Sequence, residues 1–246
     1  MNVQRISLVD VPVDICRPEN LEEVILSLEK KSGTKRIVFL SIWDLLKARH
    51  NGEFRECIKS ADLILPISKS IISGARFIKK STPYRWNPFR AIIEILSILE
   101  RHYKSIYLLG SRSRTLSTAE KNLRSTFPNL HIVGRCEGWY KKNYESDVVE
   151  SIYKSGATLV LMSEGVNEKN LWSYRRADKF TESTFLYYRD AFPIFADRIK
   201  RVDEKTFDKG LEIFHELAHN PLKVFLIFPY LQYRLILLWR RFFPDL

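Results

Sequence analysis

The run His215-Glu216-Leu217-Ala218-His219 has the HExxH spacing that, on a helix, sets two imidazoles one turn apart with a glutamate beside them. Two zinc ligands and a general base would stand there together. A catalytic zinc needs a third protein ligand, yet beyond His219 the chain offers no His or Glu, only Asp245. His50, His102 and His131 belong to other elements, and Leu211, Phe214, Leu217 and Ala218 describe an ordinary amphipathic helix. No metal is expected. The second chemistry is anion binding. Forty Lys+Arg against 29 Asp+Glu give a net charge of +11, which fits nucleic acid, anionic lipid or a phosphorylated substrate. The basic residues are densest at 112–114, 175–176, 198–201 and 234–241, but acids are interspersed along the helices and no helix-turn-helix, RNP or zinc-finger pattern accompanies them. A nucleic-acid partner is therefore not expected. Nine glycines are roughly half the usual share, too few for several glycine-rich phosphate loops.

The elements that must position such groups alternate in type. Short β-branched runs at 36–40, 63–65, 105–109, 131–133, 158–162 and 184–187 predict strands. Between them, helices are predicted at 20–31 with Asn20 as N-cap, 45–60 with a break near Gly52, 70–79, 88–102, 116–127, 147–155, 167–179 and 190–201. This is an α/β fold, a Rossmann-like, mostly parallel sheet flanked by helices. It spans residues 1–195, and residues 196–246 form a helical basic and apolar appendage. Cys16, Cys57 and Cys136 give neither a disulfide framework nor a CxxC pair, which suits a reducing cytosol, and no signal peptide is evident. In open α/β sheets, ligands sit beyond the carboxyl ends of the strands. Those ends are 41–44, 66–70, 110–114, 134–138 and 163–169, where helix N-termini and Ser, Asn, Arg and Lys side chains could hold a sugar nucleotide.

The longest apolar stretch, 224–243, is broken by Pro229, Gln232 and Arg234 and closed by Arg240 and Arg241. It is suited to lie on a membrane and not to cross one. Val224, Phe225, Phe228, Leu231, Leu235, Leu238 and Phe242 can share one face, with Tyr230, Tyr233 and Trp239 at the headgroup boundary. An apolar helix docked on the α/β core or in an oligomer interface is the plainer alternative.

Several segments carry a family likeness. VDVPVDICRPENLEEVI (9–25) has a short strand, Pro-Val-Asp and a helix start, and EFRECIKSADLILP (53–66) leads into a strand. IYLLGSRSRTLSTAEKNLRSTFPNLHIVGRCEGWY (106–140) runs strand, Gly110 turn, helix, Phe-Pro, strand, then Gly134 and Gly138. DAFPIFADRIKRVD (190–203), GLE (210–212) and Pro221 follow in register. The chain resembles the WecG/TagA/CpsF glycosyltransferase family over nearly its whole length. The resemblance implies transfer of an N-acetylmannosamine-type sugar from a UDP donor to a polyprenyl-diphosphate-linked acceptor at the cytoplasmic membrane face. It further implies inversion, no metal or other cofactor, and a C-terminal appendage that contacts the bilayer and helps close the site.

Residue by residue, the likeness implies substrate contacts at Ser41, Ser68, Gly110, Ser111, Arg112, Gly138, Gly165, Asn167 and Lys169. It implies membrane or acceptor contacts at Arg198, Lys200, Arg201, Arg234, Trp239, Arg240 and Arg241. The chemistry motifs depart from the family pattern. Its Pro-Asp-Gly is Pro66-Ile67-Ser68, so the position of the proposed general base is Ile67, which cannot accept a proton. Its Gly-Gly is Gly110-Ser111, its Asn is Ser41, its Phe-Asp is Phe192-Pro193, and of its Gly-x-Gly loop only Gly165 remains. Two readings stay open. One is a divergent transferase of envelope polysaccharide assembly whose base is Asp44 or Glu168, with Lys169 or Arg112 neutralising the UDP. The other is a catalytically silent relative acting as a membrane-bound binding or scaffold subunit. A homo-oligomer is compatible with both.

Overall fold

The computed structural model describes residues 3–201, Phe207 and 227–243. The chain opens with an antiparallel hairpin, β1 (Gln4–Leu8) and β2 (Val11–Ile15). Its two turn residues, Val9 and Asp10, both take positive φ, +53° and +66°, as a tight hairpin with right-twisted strands requires. Only one strand was legible here, because Val-Asp is not a glycine-marked turn. Asp14 on β2 is buried and fully engaged. It accepts from Arg5 at 2.6 and 2.8 Å and from the backbone N–H of Ile64 at 2.7 Å. The hairpin thus covers the edge of the main sheet with a carboxylate in place of a further strand.

That sheet has six strands: β3 (Lys35–Leu40), β4 (Leu63–Pro66), β5 (Ser105–Leu109), β6 (His131–Cys136), β7 (Leu159–Met162) and β8 (Thr184–Tyr187). Their order is β4-β3-β8-β7-β5-β6, and every pairing is parallel. Strands covered on both faces read as unbroken apolar runs, such as Leu159–Met162. β6, at the free edge, instead alternates, turning His131, Val133 and Arg135 outward.

Helices cover both faces. On one, α1 (Pro18–Glu29), α5 (Pro88–Arg101) and α6 (Ser113–Thr126) pack on Phe39, Leu65, Leu108 and Leu161. On the other, α2 (Ile42–His50), α3 (Gly52–Lys59) and α4 (Lys69–Phe77) share a core with the hairpin. Beside them, α7 (Glu145–Ser155) and Trp172 of α8 (Asn170–Arg175) cover Tyr107, Val160 and Phe185. The break near Gly52 is real, with Asn51 accepting from the Phe54 N–H at 2.8 Å. Asn20 is not the N-cap of α1. Arg17 takes that place because Pro18, its φ already helical, starts the helix. The helix expected at 190–201 is only α9 (Ala191–Phe195), since Asp197 turns to φ +55° and Arg198 N–H closes back on Pro193 C=O.

The C-terminal helix (Ile227–Phe242) has two unlike faces. Inward, Tyr233 and Leu237 join the α2–α4 core, and the Tyr233 hydroxyl donates to the Ser70 carbonyl at 3.0 Å. Gly74 makes room, since a Cβ there would stand 2.1 Å from that hydroxyl. Tyr233 is therefore buried and not at a headgroup boundary. Arg240 donates to both carboxylate oxygens of Asp10 at 2.7 Å, and Arg241 to the Phe77 carbonyl at 2.6 Å. Outward, Phe228, Leu231, Leu235, Leu238, Trp239 and Phe242 are exposed. No helix among the described residues is long and apolar enough to cross a membrane. Val224, Phe225 and the HExxH run lie outside the described residues.

Candidate active site

The residues expected to bind substrate gather where sheet geometry puts them, beyond the carboxyl ends of the strands, in two groups. The first surrounds β3, β4 and β8. Ser41 ends β3 and caps α2 with Asp44 in a reciprocal box: the Ser41 hydroxyl donates to Asp44 Oδ2 at 2.6 Å, the Ser41 N–H donates to the same oxygen at 3.2 Å, and the Asp44 N–H donates to Ser41 Oγ at 3.1 Å. All bonds to the carboxylate fall on Oδ2. Burial pushes the Asp44 carboxyl above the usual carboxylate range, against the Ser41 bonds and the charges of Lys169 and Lys47. At the end of β8, burial pushes the Tyr187 phenol up to about 12; Arg189 opposes this, and the negative charges of Asp190, Glu164 and Asp44 add to it. Residues far apart in sequence thus share one field.

Ser68 accepts from the Ile42 N–H at 3.0 Å, fastening the β4 loop to the start of α2. Ile67, partly buried, packs against the core on the α1 and α5 side. Its carbonyl accepts from Arg85 Nε at 3.0 Å. Arg85 also donates to the Phe207 carbonyl at 2.6 Å and lies 3.7 Å over the Phe207 ring. Sequence reasoning missed Arg85, because no local pattern shows that the chain after α4 returns to β4, where the Trp86 N–H donates to the Pro66 carbonyl.

The second group laces the loops after β5, β6 and β7. The Ser111 N–H donates to Glu164 C=O at 2.6 Å, the Gly138 N–H to Ser111 C=O at 2.8 Å and the Trp139 N–H to Gly165 C=O at 2.9 Å. A Cβ on Gly110 would stand 2.9 Å from the Glu164 carbonyl oxygen, one on Gly138 2.8 Å from Gly165 Cα, and one on Gly165 2.6 Å from the Trp139 ring. These glycines admit neighbouring loops to one another. Ser111 is buried, its hydroxyl donating to the Glu164 carboxylate at 3.2 Å. Arg112, Asn167, Lys169 and the Trp139 side chain are exposed on these loops, with the Arg112 guanidinium 5.7 Å from the Trp139 ring centre. A groove lined by Arg112, Arg135, Trp139, Tyr140, Lys141 and Tyr144 opens beside them.

Glu168 is already committed. Arg175 donates to one oxygen at 2.6 Å and Arg176 to the other at 2.5 Å. Both of its oxygens are thus occupied by guanidinium donors. Arg198, Lys200 and Arg201 are exposed just beyond α9, apart from both groups, while Arg234, Trp239, Arg240 and Arg241 ride on the C-terminal helix. That helix touches the site's scaffold through Ser70, in the first turn of α4. The glycosyl transferase WecG/TagA/CpsF family model matches residues 6–244, nearly the whole chain. With that match over a parallel α/β sheet whose polar loops converge at the strand ends, the chain belongs to the WecG/TagA/CpsF glycosyl transferase family.

Proposed function

We propose that this chain is an active inverting transferase, moving an N-acetylmannosamine-type sugar from a UDP donor to a polyprenyl-diphosphate-linked acceptor in envelope polysaccharide assembly, with Asp44 as general base. The observation that carries this is the Asp44 carboxyl, held by one oxygen in the Ser41 box and raised in pKa by burial, beside Lys169 and Tyr187. A carboxylate whose pKa is raised is a stronger base toward a hydroxyl proton than an ordinary surface one. Asp44 would take the proton as the acceptor oxygen bonds to the anomeric carbon. In the same displacement the bond from that carbon to the diphosphate breaks, and UDP leaves with the electron pair. Arg112 and Lys169 would offset the diphosphate charge, and the exposed Trp139 ring offers a stacking face for the base.

The outward stripe of the C-terminal helix supports peripheral attachment to an anionic, cytoplasmic membrane face, with 1–195 as the catalytic core and 196–246 as the attaching part. The test is transfer from UDP-N-acetylmannosamine to a polyprenyl-diphosphate-linked glucosamine. Turnover is expected, and Asp44→Asn should cut it by about a hundredfold or more. Turnover untouched by that substitution would remove Asp44 from the role.

A silent binding subunit is the second reading, favoured by one observation. The family's base position, Ile67, is packed on the core. No turnover with any UDP-sugar, together with no thermal shift at millimolar UDP, would establish it.

A further inference from the structure

Arg176 closes the last turn of α8, and its guanidinium holds groups from three elements. Nη1 donates to Glu168 Oε2 at 2.5 Å and to the Trp172 carbonyl at 2.9 Å. Nη2 pairs with Glu145 of α7, and the guanidinium lies 4.9 Å from the centre of the Trp172 ring. The Arg176 side chain is only 17% exposed, against 43% for Arg175, which binds Glu53 and Glu168 at the surface. A solvated ion pair adds little, whereas a largely buried guanidinium fork fixes the geometry of what it holds.

These contacts close a circuit between the loops after β6 and β7. From Glu168 it runs through Arg176 to Trp172, whose indole N–H donates to the Tyr140 hydroxyl at 2.6 Å. Tyr140 follows Trp139, whose backbone N–H donates to the Gly165 carbonyl at 2.9 Å, and Gly165 leads back along the β7 loop to Glu168. The Trp172 ring is buried beside Phe180 and Phe185, which ties the circuit to the sheet. Trp139, Asn167 and Lys169 are the exposed side chains that this frame presents. Lys169 holds φ +52° and ψ −125°, a strained backbone of the kind that persists only where its surroundings over-determine it.

We propose that Arg176 is a positioning residue of the nucleotide site, setting the Trp139 loop and the Lys169 loop in fixed relation through this circuit. The role rests on the transferase reading, in which Trp139 takes the base and Lys169 the diphosphate. Arg176 acts through those loops, its own guanidinium being engaged by Glu168, Glu145 and Trp172. Two loops that hold parts of one ligand bind it well only if their separation is set beforehand, and a displacement of about 1 Å can cost roughly a hundredfold. Preorganisation of this kind serves bound donor and transition state alike, so its loss raises KM and leaves kcat alone.

Calorimetry of UDP on the full chain tests this, with thermal melts to confirm that each variant folds. Arg176→Met should raise the UDP Kd about tenfold or more. Tyr140→Phe opens the circuit at its far side by removing one hydroxyl, and should raise Kd about threefold. If Arg176→Met does not fold, Tyr140→Phe decides alone. Where both fold, the double variant should lose less than the product of the two effects, since one circuit is broken twice. Arg175→Met, outside the circuit, should stay within about twofold of wild type. With donor and acceptor, Arg176→Met should raise KM for the UDP-sugar while kcat stays within about threefold. Unchanged UDP affinity in the folded circuit variants overturns the proposal and leaves the transferase reading standing. So does an equal loss in Arg175→Met, which would make charge and not the circuit responsible. A wild-type chain that binds no UDP at millimolar concentration overturns both.

Discussion

At the scale of single residues, the sheet edge separates carboxylates that look alike in sequence into different trades. Asp14 closes a strand edge, Glu168 anchors a turn, and Asp44 sits half-buried with one oxygen outside its capping box. The strand-end rule alone made Asp44 and Glu168 equal candidates. What separates them, two arginines seven and eight positions along on a helix that folds back, has no sequence signature. Arg85 was illegible for the same reason: its partners are a β4-end carbonyl and Phe207, both distant in sequence. The raised pKa of Asp44 has a consequence for stability. A carboxyl whose native pKa exceeds its unfolded value binds its proton more tightly when folded, so stability is greatest below the unfolded value and falls as pH rises through the native one. Asp44→Asn removes that penalty and keeps an acceptor for Ser41. Its effect on Tm should therefore be more favourable at pH 7 than near pH 4, about the unfolded carboxyl range. Thermal melts of the two proteins across that interval check it, and a larger benefit at low pH would contradict the assigned burial.

Among elements, what the sequence showed was what periodicity encodes. The buried strands were legible as β-branched runs, and the α2–α3 break as a glycine within a helical pattern. The β1–β2 hairpin was not, since its turn residues bear side chains at positive φ, and α9 was overestimated because its helical pattern continues past a residue that leaves the helix. Docking of the C-terminal helix stood only as an alternative, because the same apolar residues suit a membrane face and a protein face. The structure divides them, with Tyr233 and Leu237 inward and the Phe228–Leu231–Leu235–Leu238–Phe242 stripe outward. Gly74 is the contact that decides the fit. Gly74→Ala would force its methyl into the Tyr233 hydroxyl, 2.1 Å away. Overpacking at such a site costs about 1–3 kcal/mol. Gly74→Ala should lower stability by that amount in denaturant titration, and Tyr233→Phe added to it should recover part of the loss, a coupling expected only of residues in contact. Strictly additive losses would show that the helix does not dock through this pair.

For the whole molecule, the question is whether an exposed apolar stripe and a net charge of +11 work together. Deleting the C-terminal helix is a poor way to ask. The deletion also strips Tyr233 and Leu237 from the core, each buried side chain contributing roughly 1.5–3 kcal/mol, so lost membrane binding would be confounded with unfolding. Changing only the outer face separates the two. Leu235→Glu with Phe242→Glu alters residues that are 65% and 72% exposed, so folding should be untouched and Tm should stay within about 1 °C of wild type. The same double variant should release the protein from vesicles containing anionic lipid, because it replaces buried apolar area with charges that the lipid surface repels. The electrostatic share is smaller than the tail's composition implies. Arg240 and Arg241 are already bonded within the chain, to Asp10 and to the Phe77 carbonyl, while Arg234 is exposed on the outer side. Wild-type binding should therefore fall only in part at 0.5 M salt, where the Debye length is about 4–5 Å, since the apolar contribution is unscreened. Sedimentation with vesicles at low and high salt reads both quantities. Equal sedimentation of wild type and the double variant would show that the outer stripe serves a protein partner and not a bilayer.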